Sequence, residues 1–61
     1  MTERLLTVTE VSDYLGVPVA TLYRWRTHRD GPRGIRVGRY VRYRRTDLDA
    51  WLEQQADPVP A

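Results

Sequence analysis

The break at residues 16–18, Gly-Val-Pro, constrains the fold of this chain more than any other feature of its sequence. Glycine after a helical pattern indicates a left-handed C-cap, and proline tolerates the start of a helix but not its interior. One helix is predicted before the break, from Val8 to Leu15, and another after it, from about Val19 to Thr27 or His28. Two short helices joined by so tight a turn predict a helix-turn-helix.

Local signals in the sequence support both helices. Thr7 and Glu10 have the spacing of a capping box at the start of the first helix. Apolar side chains recur at helical spacing and should face a shared core. The residues expected to face inward are Val8, Val11, Leu15, Val19, Leu22 and Trp25.

A β-hairpin is predicted from Ile35 to Arg44, after a loop that contains Gly and Pro. A two-residue loop would place Tyr40 opposite Val37. A three-residue loop, 38–40, would place Val41 opposite Val37 instead, with the apolar residues on one face and the arginines on the other. The second register is preferred because it separates the two faces.

A closing helix is predicted after the hairpin. Thr46 is expected to be its N-cap, with Asp49 three residues later. Its apolar stripe is expected to contain Leu48, Trp51 and Leu52. Trp25 and Trp51 are interpreted as core residues rather than stacking platforms for bases. Residues 1–55 are predicted to form one domain, and residues 56–61 a disordered tail.

The composition excludes several classes of function. The chain has no Cys and a single His, so the sequence predicts no disulfide, no metal site and no cofactor. No nucleophile–base pair or catalytic carboxylate pair is recognisable, which argues against an enzyme. No apolar run approaches the roughly 20 residues of a membrane span. The sequence therefore predicts a non-membrane protein of the cytoplasm.

The arginines are concentrated in one part of the chain. Residues 24–45 contain nine of the ten arginines and one aspartate, a net charge of +8, whereas the remaining residues carry −6. Such a concentrated positive charge favours a polyanionic partner. Every basic residue is Arg, whose planar guanidinium suits phosphates and guanine edges. Double-stranded DNA is the polyanion expected for a helix-turn-helix with this charge pattern, and a solvated charged surface is the alternative interpretation.

Two stretches carry a resemblance to a known group of proteins. Residues 5–18 read LLTVTEVSDYLGVP, and residues 21–25 read TLYRW; together they resemble the helix-turn-helix of the excisionase and MerR-like group. Residues 35–52, IRVGRYVRYRRTDLDAWL, are similar to that group's wing and closing helix. The group includes phage and integrative-element excisionases and AlpA-type regulators. Pro18 departs from its pattern, which often has Ser or Thr there, so no phosphate contact is carried over to this position.

The resemblance implies a winged helix-turn-helix, mainly α with a small two-stranded wing, whose second helix enters the major groove. The candidate residues of that helix are Ala20, Thr21, Tyr23 and Arg24. The candidate residues of the wing are Arg36, Arg39, Arg42 and Arg44. Arg24 is expected to read guanine, and Arg39 to enter a narrow minor groove.

The other arginines receive separate interpretations. Arg36 and Arg42 are expected to share the polar face of the wing and to contact phosphates. Arg26 is expected to pair with an acid of a neighbouring helix. Either Arg44 or Arg45 is expected to offset an aspartate near the start of the closing helix.

The leading hypothesis for function is an excisionase, a recombination directionality factor that bends attachment-site DNA and assists an integrase. Such a chain is expected to be a monomer in free solution and to associate cooperatively on DNA. An AlpA-type or MerR-like transcriptional regulator is the alternative within the same class. A protein-interaction module whose basic wing binds an acidic partner is the alternative from another class.

Overall fold

The structure, a computed structural model, describes residues 4–56 and contains three helices and one three-stranded sheet. The elements in chain order are β1 (Leu6–Thr7), α1 (Val8–Leu15), α2 (Val19–Thr27), β2 (Gly34–Val37), β3 (Tyr40–Tyr43) and α3 (Arg45–Gln55). This order confirms the predicted winged helix-turn-helix. The expected tail lies almost wholly outside the described residues. Within residues 4–56, no helix has the length and hydrophobicity of a transmembrane span.

The start and end of α1 are fixed by local hydrogen bonds. The Thr7 hydroxyl accepts from the Glu10 backbone N–H (3.0 Å), and the Glu10 carboxylate accepts from the Thr7 N–H (2.9 Å), so the predicted capping box is confirmed. Gly16 has φ 72°, the left-handed C-cap expected from the sequence. The Ser12 hydroxyl donates to the Val17 carbonyl (2.5 Å), a bond across the helix-turn-helix turn that the sequence analysis missed.

The end of α2 is a Schellman motif. The Asp30 N–H donates to the Trp25 carbonyl (2.7 Å), and the Arg29 N–H donates to the Arg26 carbonyl (3.2 Å). Arg29 occupies the left-handed position of this motif, with φ 60°, where glycine is usual. Between residues 4 and 56 it is the only residue other than glycine with a positive φ.

The register of the hairpin differs from the preferred prediction. Val37 pairs with Tyr40, so the loop has two residues, Gly38 and Arg39, and the three-residue loop is wrong. Gly38 has φ 61°, whereas Arg39 is not among the residues with positive φ. Glycine at the first central position is the requirement of a type II′ turn, whose twist matches that of the flanking strands. Turn geometry therefore outweighs the separation of apolar and basic faces.

The observed register also changes which side chains share a face. Directly paired residues lie on the same face of a sheet. Arg36 pairs with Val41, and Arg42 pairs with Ile35. The prediction that Arg36 and Arg42 share one polar face is therefore wrong, because the two arginines lie on opposite faces of the hairpin.

A third strand, β1, was not predicted. Leu6 pairs with Tyr43 and Thr7 with Arg42, so β3 becomes the central strand of the order β1-β3-β2. Two residues are too few to show the alternation that identifies a strand in a sequence. The strand ties the N-terminal segment directly to the hairpin.

The core lies between the helices and one face of the sheet. Its buried residues are Val8, Val11, Leu22, Tyr43 and Leu48. Leu15, Val19 and Trp25 pack against it, which confirms the inward faces predicted for α1 and α2. Trp51 is half-buried, and its ring lies 5.4 Å from that of Trp25 at a tilt of 46°. Trp51 therefore covers the edge of the core rather than filling it.

The start of α3 also differs from the prediction. The helix begins at Arg45 after an N-cap at Arg44 that makes no side-chain capping bond, so Thr46 lies inside the first turn. Arg45 pairs with Asp49 (3.3 Å), and its guanidinium lies 4.7 Å from the Tyr14 ring centroid. Arg45 is therefore a helical residue, and Asp49 pairs with its guanidinium instead of taking part in a cap. These contacts also confirm that an arginine at this entrance offsets an aspartate.

Candidate nucleic-acid interface

The four candidate residues of α2 lie on the side of the helix turned away from Leu22. Ala20 and Arg24 are four residues apart and exposed, so they belong to one stripe. Thr21 is half-buried on one flank, and Tyr23, half exposed, lies on the other. No carboxylate of residues 4–56 pairs with Arg24. Its guanidinium donors are therefore available to a base edge or a phosphate.

The N-terminus of α2 has no side-chain cap. Its N-cap is Pro18, which has no side-chain hydrogen bond to the helix. The Pro18 carbonyl accepts from the Thr21 N–H (3.0 Å) and more weakly from the Leu22 N–H (3.4 Å). The absence of a hydroxyl at this position agrees with the departure noted from the sequence.

A groove of about 310 Å³ separates α2 from the tip of the hairpin. Tyr23 lines it from α2 and Thr9 from α1, and Arg39, Tyr40 and Arg42 line it from the hairpin. The two tyrosines are half exposed or more. The structure therefore brings three of the predicted residues, Tyr23, Arg39 and Arg42, into one site. It adds Tyr40 and Thr9, which the sequence analysis did not select.

The arginines of the hairpin differ in how their side chains are held. Arg42 lies 5.1 Å from the Tyr40 ring centroid, and its guanidinium donates to the Val41 carbonyl (2.9 Å). Arg36 donates to the Gly38 carbonyl (3.2 Å) on the other face. Arg39 is exposed at the turn. Arg44 is exposed at the N-cap of α3, away from the groove.

Within the described part of the chain, Arg45 is the one arginine of residues 24–45 that an acid pairs with. There the ion pairs are Arg4 with Glu10 (2.7 Å) and Arg45 with Asp49 (3.3 Å). None of the arginines from residue 24 to residue 44 belongs to such a pair, so the expected pairing of Arg26 with an acid is wrong. A field of this kind attracts a polyanion.

Besides Arg45, whose pKa is raised by its hydrogen bond to Asp49, two side chains outside the groove have shifted pKa values. The backbone N–H of Thr7, helped by Arg4, lowers the pKa of the Glu10 carboxyl. Burial raises the pKa of Tyr43, while the nearby Arg26 opposes that rise. The first shift belongs to the capping box. The second agrees with the position of Arg26, which is half-buried with its guanidinium beside Gly34 and the Tyr43 ring.

Comparison with known protein families matches residues 5–56 to the helix-turn-helix domain family. The match covers most of the chain, which therefore belongs to this family of DNA-binding domains. Domains of this kind are typically not enzymes. The described residues bring together no group of three side chains suited to a metal ion. Separate comparisons with curated proteins and with solved structures found no match.

Proposed function

We propose that this DNA-binding domain is an excisionase that binds and bends attachment-site DNA to promote excision by an integrase. One observation supports DNA binding by this surface: Tyr23 faces Arg39 and Tyr40 across a groove beside the exposed stripe of α2. The resemblance of residues 35–52 to the wing and closing helix of excisionases supports the narrower assignment.

In this proposal α2 lies in the major groove. Arg24 makes a bidentate contact with guanine, which discriminates against other bases by about 1–3 kcal/mol. Ala20 and Thr21 meet a thymine methyl group or a phosphate, and Tyr23 donates to a phosphate. These contacts use the face of α2 that the core leaves exposed.

The hairpin supplies the contacts beside α2. Arg39 enters the adjacent minor groove, where a narrow groove concentrates negative potential. Arg42 and Arg36 contact different phosphates, because they lie on opposite faces of the hairpin. Arg44, which lies near the start of α3, contacts the DNA backbone.

The salt dependence of duplex binding tests the DNA-binding surface. If four to six arginines neutralise phosphates, the slope of log K against log salt should be about −4 to −5. Fluorescence anisotropy with a labelled duplex measures this slope. A slope near zero would contradict the assignment of the surface.

Two arginine variants separate reading of bases from contact with the backbone. Arg24→Ala should reduce the discrimination between the preferred site and a mutated site, whereas Arg42→Ala should weaken both by a similar factor. Each variant is the other's control, since both lose one positive charge. Uniform weakening by Arg24→Ala would show that another residue reads the bases.

The excisionase assignment is tested in a reconstituted reaction with the integrase encoded nearest to this gene. The protein should stimulate excision and increase the bend of the attachment site in a gel-mobility assay. Site-specific binding without stimulation would instead support the AlpA-type regulator. Binding to an acidic protein with no shift of DNA would support the interaction module.

We also propose that several copies bind neighbouring sites cooperatively, with the basic hairpin of one copy against the acidic surface of the next. Glu10 and Asp49 are engaged by Arg4 and Arg45. Asp13 on α1 and Glu53 on α3 are exposed and absent from the ion pairs of residues 4–56, so they are the better candidates.

Footprint titration on DNA with one, two and three sites tests this assembly. The variant with Asp13→Asn and Glu53→Gln should fill the sites with less cooperativity and bind a single site as the wild type does. Independent filling by the wild type would exclude cooperative assembly. A stable dimer in sedimentation without DNA would exclude assembly from free monomers.

A further inference from the structure

A second concentration of positive charge lies at the end of α2 and in the loop that leads to β2, separate from the groove at the hairpin tip. Arg26, Arg29 and Arg33 line one open depression of about 340 Å³. Asp30 is the single acidic residue along its wall. None of the three arginines forms an ion pair within residues 4–56.

The requirements of folding alone do not explain the position of Arg26 in this depression. Its side chain is half-buried, and its guanidinium occupies the space that a Cβ on Gly34 would take, close to the Tyr43 ring. Withdrawing a charge from water is unfavourable unless an opposite charge or hydrogen bonds compensate for it. Arg26 lines the open depression, so an anion there would reach its guanidinium and compensate for the part of its hydration that burial removes.

Arg29 adds a second, independent observation. It is exposed, yet its backbone is held in the left-handed region at φ 60° by the Schellman hydrogen bonds. Glycine adopts this conformation without the steric penalty that an L side chain carries. Arg29 therefore has a strained backbone and lies beside two other arginines. A ligand of its side chain explains this choice of residue better than the fold does.

We propose that Arg26, Arg29 and Arg33 form a second anion site that takes a backbone phosphate of the bound DNA. Guanidinium groups bind phosphate oxygens through paired, charge-assisted hydrogen bonds, for which three arginines lining one depression provide ample donors. This inference rests on the proposed DNA-binding function and adds a contact to it.

The second site cannot share its phosphate with the hairpin tip. The four residues of β2 separate the loop from the turn that carries Arg39, a length of about 13 Å along the strand. The two sites therefore hold the DNA backbone at two separate points, one after the C-terminal end of α2 and one beside Tyr23.

The test compares the wild type with Arg33→Gln, Arg29→Gly and the double variant, by anisotropy over a range of salt concentrations. Loss of one phosphate contact should make the slope of log K against log salt shallower by about 0.9. Affinity for the duplex should fall roughly tenfold in the double variant. Thermal unfolding of Arg29→Gly should show a midpoint no lower than that of the wild type.

Arg45→Gln is the matched control, because it removes the same charge from a side chain that lies over Tyr14 instead. Its slope should remain that of the wild type. An unchanged slope in the double variant, or equal changes in Arg33→Gln and Arg45→Gln, would overturn the second site while leaving DNA binding intact. A flat slope in the wild type would instead contradict the proposed function itself.

Discussion

Replacing Arg29 by glycine is expected to stabilise the fold. A left-handed backbone costs an L residue about 1–2 kcal/mol, and Arg29 adopts it at φ 60°. Glycine removes this cost but makes the unfolded chain more flexible, a loss of about 0.4–1 kcal/mol. The net gain is about 0.5–1 kcal/mol. With an unfolding entropy near 2.1 cal/mol/K per residue, the melting temperature should rise by roughly 4–8 °C.

Gly16 is the matched control for this prediction, because it occupies the corresponding left-handed position after α1, at φ 72°. A Cβ at Gly16 would meet no heavy atom within 4 Å, so Gly16→Ala adds backbone strain without a clash. It should lower the stability by about 1 kcal/mol. Both changes are measured by calorimetry. If Gly16→Ala behaves as expected and Arg29→Gly lowers the melting temperature, the strain argument is refuted and the Arg29 side chain stabilises the fold.

Three further predictions concern the core and the caps. Leu48→Ala should lower the free energy of unfolding by about 2–5 kcal/mol because Leu48 is fully buried. Trp51→Ala should lower it by about 1–3 kcal/mol. Urea titration measures both changes, and equal shifts of the two midpoints would contradict the placement of Trp51 at the edge of the core. Ser12→Ala removes the hydrogen bond to Val17 and should lower the free energy of unfolding by about 1 kcal/mol in the same titration. An unchanged midpoint would show that water replaces that bond without loss. Glu10 has a lowered pKa in the folded protein, so its contribution is present above the ordinary value of 4.5 and is lost as pH falls through the lower folded value. The difference in melting temperature between wild type and Glu10→Gln should therefore narrow in acid; a constant difference would show that the carboxylate charge contributes nothing.

The helix-turn-helix could be predicted from the sequence because its signals are local. Thr7, Glu10 and Gly16 act within a few residues of the helix ends that they fix, and the observed bounds of α1 and α2 match the expected ones. The bond from Ser12 to Val17 was missed, and so was the left-handed conformation of Arg29 after α2. Serine inside a helix carries no signal that its hydroxyl will reach across the following turn.

The hairpin register and the start of α3 depend on contacts that the sequence does not display. The register follows from the positive φ of Gly38 in a two-residue turn, against the apparent preference of the side chains for one face. Arg45 is drawn into α3 by Asp49 and by the Tyr14 ring from α1. The second of these partners is 31 residues away in the chain.

The candidate site could be predicted in part. Charge and helical spacing were enough to select Arg24 and Tyr23, since these residues face away from Leu22. Tyr40 was not expected to line the groove because the wrong register placed it inside the loop. Arg29 carried one usable signal: it stands where a helix ends without the glycine that usually occupies that position.

Thr7 belongs to two elements at once, as the last residue of β1 and the N-cap of α1. Its strand partner, Arg42, lies in the central strand of the sheet. The hairpin is thereby anchored to the helix-turn-helix before any DNA is present, and binding should require little ordering of the protein. The heat-capacity change of association should then correspond to the surface buried at the interface, without a contribution from coupled folding. In the proposed complex the DNA would then supply most of the change of shape, at a free-energy cost that depends on how easily its sequence deforms.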